Sequence, residues 1–206
     1  MYIPSKYSMP DHATVVAFMK QYSFAVIVSS KEDRIDANHL PFVIEETEGV
    51  LKLTSHFSKL NSQWKNIEEG EVMVIFSEPH AYISPKHYNS KLSVPTWDFI
   101  AVHAYGKVSI IQDDARAFEE LEKMINNYDL EYRKQWDELP DDYKNNMRKG
   151  IVMFEVTVTR LEAKNKQSQH KSADEKQRIL DSLENSSIGS EREMGVWMRK
   201  ELEGKE

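Results

Sequence analysis

The sequence predicts a mainly β fold with peripheral helices, in which short antiparallel strands form a barrel or a sandwich. Short segments with apolar residues at every second position alternate with polar turns, of which residues 46–49 are one. A continuous apolar run at residues 72–76 is typical of a strand that is covered on both faces. Helical spacing of apolar residues is confined to a few separate segments. These patterns indicate a β domain that carries helical additions.

The N-terminal half is predicted to begin with a helix at residues 11–22, which Pro10 and Asp11 open. A meander of short strands follows, at the spacing of an all-β sandwich or barrel. The predicted strands lie at residues 24–28, 35–44, 50–55 and 72–76, and a short helix is predicted at 60–67.

The C-terminal half is predicted to contain two further strands, at residues 100–111 and 153–159, separated by a helical insert near 113–149. Gly106 interrupts the first of these strands, which predicts a β-bulge or a tight bend. A second helix of the insert is expected to start at Pro140. The apolar stripe of the first helix is predicted to comprise Phe118, Leu121, Ile125 and Tyr128. Its solvated face is predicted to comprise Glu119, Glu120 and Glu122.

The chain changes character after residue 163, where a polar loop is expected at 164–171. Two capping-box patterns, at 172–175 and 190–193, each precede a short apolar set and predict two short helices. We therefore expect a barrel domain at 1–163, followed by a C-terminal loop and helices packed on the barrel at 164–206.

Composition excludes several classes of site. The chain has 206 residues and no cysteine, which excludes disulfides, thiolate metal sites, iron–sulfur clusters and thiol nucleophiles. Its seven histidines lack the clustered carboxylates of a metal site, and no phosphate-loop or hydrolase motif is present. The net charge of −7 argues against direct binding to DNA. With neither a signal peptide nor a membrane-spanning apolar run, a cytoplasmic protein without membrane contact is expected.

The first candidate ligand region is residues 79–99, which lie between two predicted strands and look irregular. Such a segment often builds a ligand site on a rigid sheet. Aromatic side chains that suit a planar ligand are Tyr82, Tyr88 and Trp97. Basic side chains that suit an anion are His80, Lys86 and His87. A dimer contact or a packed surface loop is the alternative interpretation.

The second candidate region runs from the end of a predicted strand into a predicted helix, at residues 54–61. Hydroxyls, a lysine and free helix N–H groups at such a junction suit a phosphate. An ordinary helix-capping arrangement is the alternative. The candidate phosphate-binding residues are Thr54, Ser55, His56, Ser58, Lys59 and Asn61.

The third candidate region comprises Asn38, His39, Leu40 and Pro41. Pro41 cannot donate to a sheet ladder, so the strand is expected to be disturbed or to lie at an edge here. A disturbed strand exposes backbone groups that suit the donor and acceptor edge of a flavin ring. The alternative is a bulge with a packed histidine.

Several segments, in order along residues 1 to about 185, resemble the PaiB family of FMN-binding negative regulators. The segments that carry the resemblance are Met1-Tyr-Ile-Pro4, Asn38-His-Leu-Pro41, Pro79-His-Ala-Tyr-Ile-Ser-Pro85, Val94-Pro-Thr-Trp97, Ala101-Val-His103 with Gly106, and Lys164-x-Lys-x-Ser-Gln169. The sequence departs from the relatives at His87 and Asp98, where many of them carry Trp and Asn.

The resemblance implies a six-stranded antiparallel split barrel that forms a homodimer and binds FMN at the subunit interface. It implies that the strand at 38–41 faces the flavin ring. The residues that would hold the phosphate are Thr54, Ser55, Ser58, Lys59 and Asn61. The residues that would lie nearby, some of them across the dimer, are His80, Tyr82, Trp97, Lys166 and Gln169.

The resemblance also implies a function, namely negative regulation of sporulation and of degradative-enzyme (protease) production. The sequence shows no helix-turn-helix pattern, so an indirect route through a flavin-linked reaction or a protein partner is expected. The first alternative is a flavin-dependent oxidoreductase acting on a small aromatic metabolite, with His39 or His80 as proton donor. The second is a heme-handling split barrel with His80, His87 or His103 as ligand.

Overall fold

A computed structural model describes residues 1–9 and 11–203, and this part of the chain contains seven strands. They form one sheet in the order β2-β1-β5-β6-β7-β4-β3, and the pairs with assigned register, including β1–β2 and β4–β7, are antiparallel. The strands are β1 (Phe24–Lys31), β2 (Arg34–Pro41), β3 (Val43–Thr47), β4 (Val50–Ser58), β5 (Glu71–Ile83), β6 (Thr96–Ile110) and β7 (Ile151–Lys166). The predicted mainly β fold is confirmed.

Six α-helices accompany the sheet in the described residues. One precedes β1, three lie between β6 and β7, and two follow β7. The helices are α1 (His12–Gln21), α2 (Asp114–Tyr128), α3 (Tyr132–Glu138), α4 (Asp141–Lys149), α5 (Ala173–Glu184) and α6 (Gly189–Glu203). Short 3-10 turns occupy Ser5–Tyr7, Ser62–Lys65, Ile67–Glu69 and Pro85–His87.

The chain consists of two compact units. The barrel unit comprises Val16–Phe76 and His103–Leu161, and therefore contains β1 to β4 together with α2 to α4. The second unit, here called the helical-hairpin unit, comprises Met1–Val15, Ser77–Val102 and Glu162–Glu206. It contains α5 and α6, and the chain passes from one unit to the other within each of β5, β6 and β7.

The barrel unit is closed at Phe42. The sequence predicted one strand at 35–44, but the structure divides it into β2 and β3, which lie at opposite edges of the sheet. Because one residue joins the two edges, the sheet must curl until they meet. The hydroxyl of Ser55 on β4 donates to the carbonyl oxygen of Pro41 at 2.7 Å, and this hydrogen bond links β4 to the edge strand β2.

Four phenylalanine side chains fill the centre of this unit, and each is fully buried. The ring of Phe42 packs edge-on against Phe76 and Phe154, with both pairs of centroids 6.2 Å apart. Phe57 stacks on Phe154 at 4.7 Å. Edge-on and offset contacts of this kind add to the free energy gained by burying the rings.

Three predicted segments need correction, two of them because the strands continue further than apolar alternation shows. The region at 79–99 is not an irregular loop throughout, since β5 extends to Ile83 and β6 starts at Thr96. The loop predicted at 164–171 begins later, because β7 continues to Lys166. The helix predicted at 60–67 is instead a pair of 3-10 turns, Ser62–Lys65 and Ile67–Glu69.

The buried face of α2 also differs from the prediction. Its most buried residues are Ala117, Glu120 and Met124, whereas Tyr128 is 48% exposed. Glu120, which was assigned to the solvated face, is 7% exposed and accepts a hydrogen bond from the Nζ of Lys123 at 2.9 Å. An ion pair at i,i+3 lets a carboxylate lie at the buried edge of the helix, which apolar spacing does not reveal.

The two predicted capping boxes have different outcomes. Ser172 and Glu175 form a complete box at the start of α5, as predicted. Ser190 instead bonds to β5, since its hydroxyl donates to the carbonyl oxygen of His80 at 2.7 Å and accepts from the backbone N–H of the same residue at 3.0 Å. None of the helices in the described ranges 1–9 and 11–203 is long and apolar enough to cross a membrane.

Gly106 was predicted to mark a bulge or a tight bend, but its close approach to the neighbouring strand explains the glycine. Burial alternates from Val102 to Val108, and Gly106 fits that alternation. Its backbone instead lies so close to β7 that an added Cβ would stand 2.4 Å from the carbonyl oxygen of Thr157. Glycine is therefore required here by the approach of a neighbouring strand.

Gly106→Ala is expected to lower the free energy of unfolding by about 3 kcal/mol, because a backbone atom must move to admit the methyl group. Urea denaturation measures the loss. Gly70→Ala is the matched control, because no described heavy atom lies within 4 Å of a Cβ built there. Equal stability of the two variants would contradict the close approach.

Candidate functional site

The predicted site residues fall into two groups, one in each unit. The barrel unit holds the residues on β2 and around the end of β4, and the helical-hairpin unit holds His80, Tyr82, Trp97, Lys166 and Gln169. Each group is described by itself below.

Alternation along β4 separates the predicted phosphate-binding residues. Ser55 shares the inner face with Leu53 and Phe57, all of them fully buried, and its hydroxyl is bonded to Pro41. Thr54 and His56 lie on the opposite face. Burial lowers the pKa of His56, whose Nδ1 has no hydrogen-bond partner in the described residues. That nitrogen is itself buried from solvent, so a ligand reaches it only if neighbouring atoms move.

Residues 58–61 form a tight turn after β4. The hydroxyl of Ser58 accepts from the backbone N–H of Leu60 at 3.3 Å, and the side chain of Asn61 caps the next turn by accepting from Gln63 N at 2.9 Å. The capping interpretation of this segment therefore holds for Asn61. The side chain of Lys59 is exposed.

Beside this turn lies a cavity of about 440 Å³ that Lys59 lines. Two further cationic side chains, Lys65 and Arg148, line it as well. Its carboxylate, Glu68, accepts a hydrogen bond from the backbone N–H of Ile110 at 2.8 Å. Arg148 also bonds to Asp114 at 2.9 Å. Cationic side chains above apolar walls give this cavity the chemistry of an anion site. The apolar part of the wall comprises Ile110, Ile111, Ala117, Ile151, Val152 and Met153.

The residues at 38–41 lie on β2, at an edge of the sheet. Leu40 and Pro41 are half-buried, and His39 is exposed and stacks on Phe24, with ring centroids 6.2 Å apart. The amide of Asn38 points to the neighbouring turn, where its Nδ2 donates to the Oε1 of Gln63 at 2.7 Å. The edge position expected from Pro41 is confirmed.

Gln63 is a residue that sequence reasoning missed. It is 3% exposed, and its Nε2 donates to Ser29 Oγ at 2.9 Å and to the carbonyl oxygen of Asp36 at 3.2 Å. Together with the bond from Asn38, these contacts join β1, β2 and the turn that follows Lys59. A single glutamine in a polar stretch carries no pattern that would reveal such a role.

In the helical-hairpin unit, Trp97 lies between His80 and Tyr82. Both ring pairs have centroids 5.9 Å apart, and Trp97 is 54% exposed. The Nδ1 of His80 is 3.5 Å from a carboxylate oxygen of Glu78. The structure thus brings these three predicted residues together in a half-exposed aromatic cluster.

Lys166 anchors the other predicted residues of this unit. Its Nζ donates to Thr96 Oγ1 and to the carbonyl oxygen of Trp97, and it lies 3.8 Å from Asp98. Gln169 makes local bonds, since its Nε2 donates to the carbonyl oxygen of Asn165 at 2.6 Å. Lys166 therefore lies beside the aromatic cluster, whereas the amide of Gln169 organises the end of β7.

Asp98, which follows Trp97 on β6, is a buried carboxylate. It is 1% exposed, and its Oδ2 accepts from the hydroxyl of Ser168 at 2.6 Å. Burial raises the pKa of Asp98 to about 6, against the opposing effects of the Ser168 hydrogen bond and the Lys166 charge. Ser168 adopts a left-handed conformation with φ of 55°, which the bond to Asp98 helps to hold.

Asp98→Asn is expected to gain stability relative to the unmodified protein as pH rises. Because the folded-state pKa is raised, the stability that Asp98 contributes is fully present below about pH 4 and is lost as pH passes through about 6. The difference between variant and parent should change by about 3 kcal/mol between pH 4 and pH 8.

Urea denaturation at several pH values measures that difference. Asp33→Asn, at an exposed aspartate, is the control and should show a flat difference. If the difference in unfolding free energy between Asp98→Asn and the parent did not change with pH, ionisation of Asp98 would cost the folded protein no free energy.

The comparisons with known proteins agree with this architecture. The family described as "Putative FMN-binding domain" matches residues 1–160. Protease synthase and sporulation protein PAI 2 from Bacillus subtilis is 33% identical over 205 residues, which cover 98% of this chain and 98% of that protein.

Solved structures show the fold. The FAD and heme binding protein from Mycobacterium smegmatis superposes with a TM-score of 0.63 at 12% identity, over 82% of this chain and 78% of that one. The flavocytochrome Anf3 from Azotobacter vinelandii gives a TM-score of 0.59 at 14% identity, over 80% of this chain and 72% of that one. The predicted split-barrel fold is thus confirmed. By its family match and its relative, the chain belongs to the PaiB family, whose shared domain is described as a Putative FMN-binding domain.

Proposed function

We propose that this protein is an FMN-binding regulator that restrains sporulation and degradative-enzyme production. The family match and the name of the Bacillus subtilis relative support the cofactor and the process. The net charge of −7 favours an indirect route, through a flavin-linked reaction or a protein partner, over contact with DNA.

The cationic cavity beside β4 is the observation that carries the proposal. FMN ends in a phosphate that carries close to two negative charges, and ammonium and guanidinium groups bind such a group through charge-assisted hydrogen bonds. Lys59, Lys65 and Arg148 supply these donors around about 440 Å³ of space. The residues present therefore fit the phosphate of the cofactor.

Within this proposal, Lys59 holds the phosphate with Lys65, Arg148 and the turn that carries Ser58 and Asn61. Thr54 and His56 lie on one face of β4 and are the remaining predicted residues of this strand. When bound, FMN supplies one- and two-electron redox chemistry.

We also propose that the strand at 38–41 faces the flavin ring. In the helical-hairpin unit, taken by itself, Trp97 and Tyr82 offer aromatic faces to a planar ring, and Lys166 and Gln169 are the predicted polar residues. In the helical-hairpin unit, the pair of His80 and Glu78 offers a group that can hold or move a proton.

The proposed assembly is a homodimer. Phe24 on β1 and Ile35 on the edge strand β2 are 66% and 73% exposed. An edge strand with exposed apolar side chains is a natural pairing surface, and a second copy of the chain would cover it.

Lys59→Ala is expected to weaken FMN binding about 10- to 100-fold, because a charge-assisted hydrogen bond contributes about 1.5–3 kcal/mol. The measurement is a titration of flavin-stripped protein, followed by flavin fluorescence. Lys91→Ala, at an exposed lysine outside the cavity, is the matched control and should bind like the parent.

If Lys59→Ala bound FMN as tightly as the parent, the proposed phosphate site would be wrong. If the parent bound no FMN, the proposed cofactor would be wrong. Steady-state oxidation of NADH by the FMN-loaded protein separates the two functional classes. Turnover would favour the flavin-dependent oxidoreductase over a regulator that only binds.

Light scattering at micromolar concentration is expected to give twice the chain mass of 24.0 kDa, and Ile35→Asp should shift the mass to that of a monomer. The introduced charge would be buried without a partner in the proposed interface. Ile188→Asp, which changes an exposed isoleucine elsewhere, is the control. A monomeric parent would contradict both the dimer and a site shared between subunits.

A further inference from the structure

A group of lysines surrounds one buried tyrosine in the helical-hairpin unit. Tyr7 is 7% exposed, and the Nζ atoms of Lys6, Lys164 and Lys166 lie 4.9, 6.0 and 6.0 Å from its ring centroid. Lys164 and Lys166 are two residues apart on β7, so their side chains leave the same face of the strand. A β-bridge between Ser8 and Lys164 brings the segment of Tyr7 to that strand.

A histidine and a fourth lysine extend this lysine cluster. The Nδ1 of His170 is 3.5 Å from the hydroxyl of Tyr7, and the Nζ of Lys171 lies 3.3 Å from the ring centroid of Tyr88. Lys164 also lies over Phe99, at 5.0 Å. Aromatic faces attract each cation but do not neutralise its charge.

Of the carboxylates near the cluster, one is paired with it and two have other partners. Asp98 bonds to Ser168 and pairs with Lys166 at 3.8 Å, whereas Glu162 bonds to the amino group of Met1. Glu175 accepts from the backbone N–H groups of Asn89 and Ser172. The Nζ of Lys164 donates to a neutral acceptor, the carbonyl oxygen of Tyr2, at 3.2 Å.

The crowding has an electrostatic cost. Burial lowers the pKa of Lys166, and the charges of Lys164 and Lys6 lower it further, against the charge of Asp98. Burial also lowers the pKa of His170, and the charges of Lys6, Lys171 and Lys166 add to this effect, against that of Glu175. Like charges held together at the surface of an acidic protein are stabilised when an anion binds among them.

We infer that the lysine cluster around Tyr7 is a binding site for the phosphate group of a small molecule. Ammonium groups suit phosphate because each donates several hydrogen bonds to its oxygens. A nucleic acid would need a long basic stripe, whereas this cluster is grouped around Tyr7 and its neighbours in a chain of net charge −7. The inference shares Lys166 with the residues proposed near the flavin, but it does not rest on the phosphate site at Lys59, which belongs to the other unit.

The test uses inorganic phosphate and the full-length protein. Isothermal titration at pH 7.5, with chloride adjusted to hold the ionic strength constant, is expected to show saturable binding that persists in Lys59→Ala, a variant that weakens only the proposed flavin cavity. In that Lys59→Ala background, Lys164→Gln should weaken the remaining binding about tenfold, because one charge-assisted interaction is lost. Lys91→Gln, at an exposed lysine in the same unit, is the matched control and should bind phosphate like the parent.

A second readout follows the protonation of His170 by NMR. Added phosphate should raise the pKa of His170, and Lys171→Gln should raise it in the absence of phosphate by removing one repelling charge. Thermal unfolding of each variant checks that it is folded.

Three results would overturn the inference. The first is no saturable binding of phosphate by the parent. The second is a loss in Lys59→Ala but not in Lys164→Gln, which would place the ion in the flavin cavity. The third is tight binding of a short DNA duplex that displaces phosphate, which would assign the cluster to a nucleic acid.

Discussion

The barrel depends on one connection, in which the chain passes from one edge of the sheet to the other within a single residue. Phe42 separates β2 from β3, and the two strands can be neighbours in sequence only if the sheet curls through its full width. Curling places the ring of Phe42 at the centre of the aromatic core. It also fixes the far end of β4, where the turn with Lys59 borders the cationic cavity.

The two units concentrate different chemistry. The barrel unit has a core of apolar rings and neutral hydrogen bonds such as that from Ser55 to Pro41, with ion pairs such as that of Lys123 with Glu120 around it. The helical-hairpin unit carries a buried acid, Asp98, and cations that lie on aromatic faces. Electrostatic interactions respond to pH and are screened by salt. Because burial raises the pKa of Asp98 to about 6, the helical-hairpin unit contains a carboxyl group that titrates near neutral pH.

Periodicity and turn residues were enough to predict the β framework, the insert between the last two strands and the capping box at Ser172. They failed where a contact distant in sequence decides the local structure. The break at Phe42 reflects barrel closure, the need for glycine at 106 reflects the approach of Thr157, and the burial of Glu120 reflects its lysine partner. The candidate site was predictable as residue types in segments, but the cavity and its cations Lys65 and Arg148 come from the packing of separate segments.

The amide of Gln63 has a consequence for how this family can vary. Its oxygen accepts a hydrogen bond from Asn38, and its nitrogen donates to Ser29 Oγ and to the carbonyl oxygen of Asp36. A change at position 63 leaves buried donors and acceptors unpaired on two strands, and a change at position 38 leaves the oxygen of Gln63 alone. Positions 38 and 63 are therefore energetically coupled, so that the effect of a substitution at one depends on the residue at the other. The pair links the edge strand to the turn after Lys59.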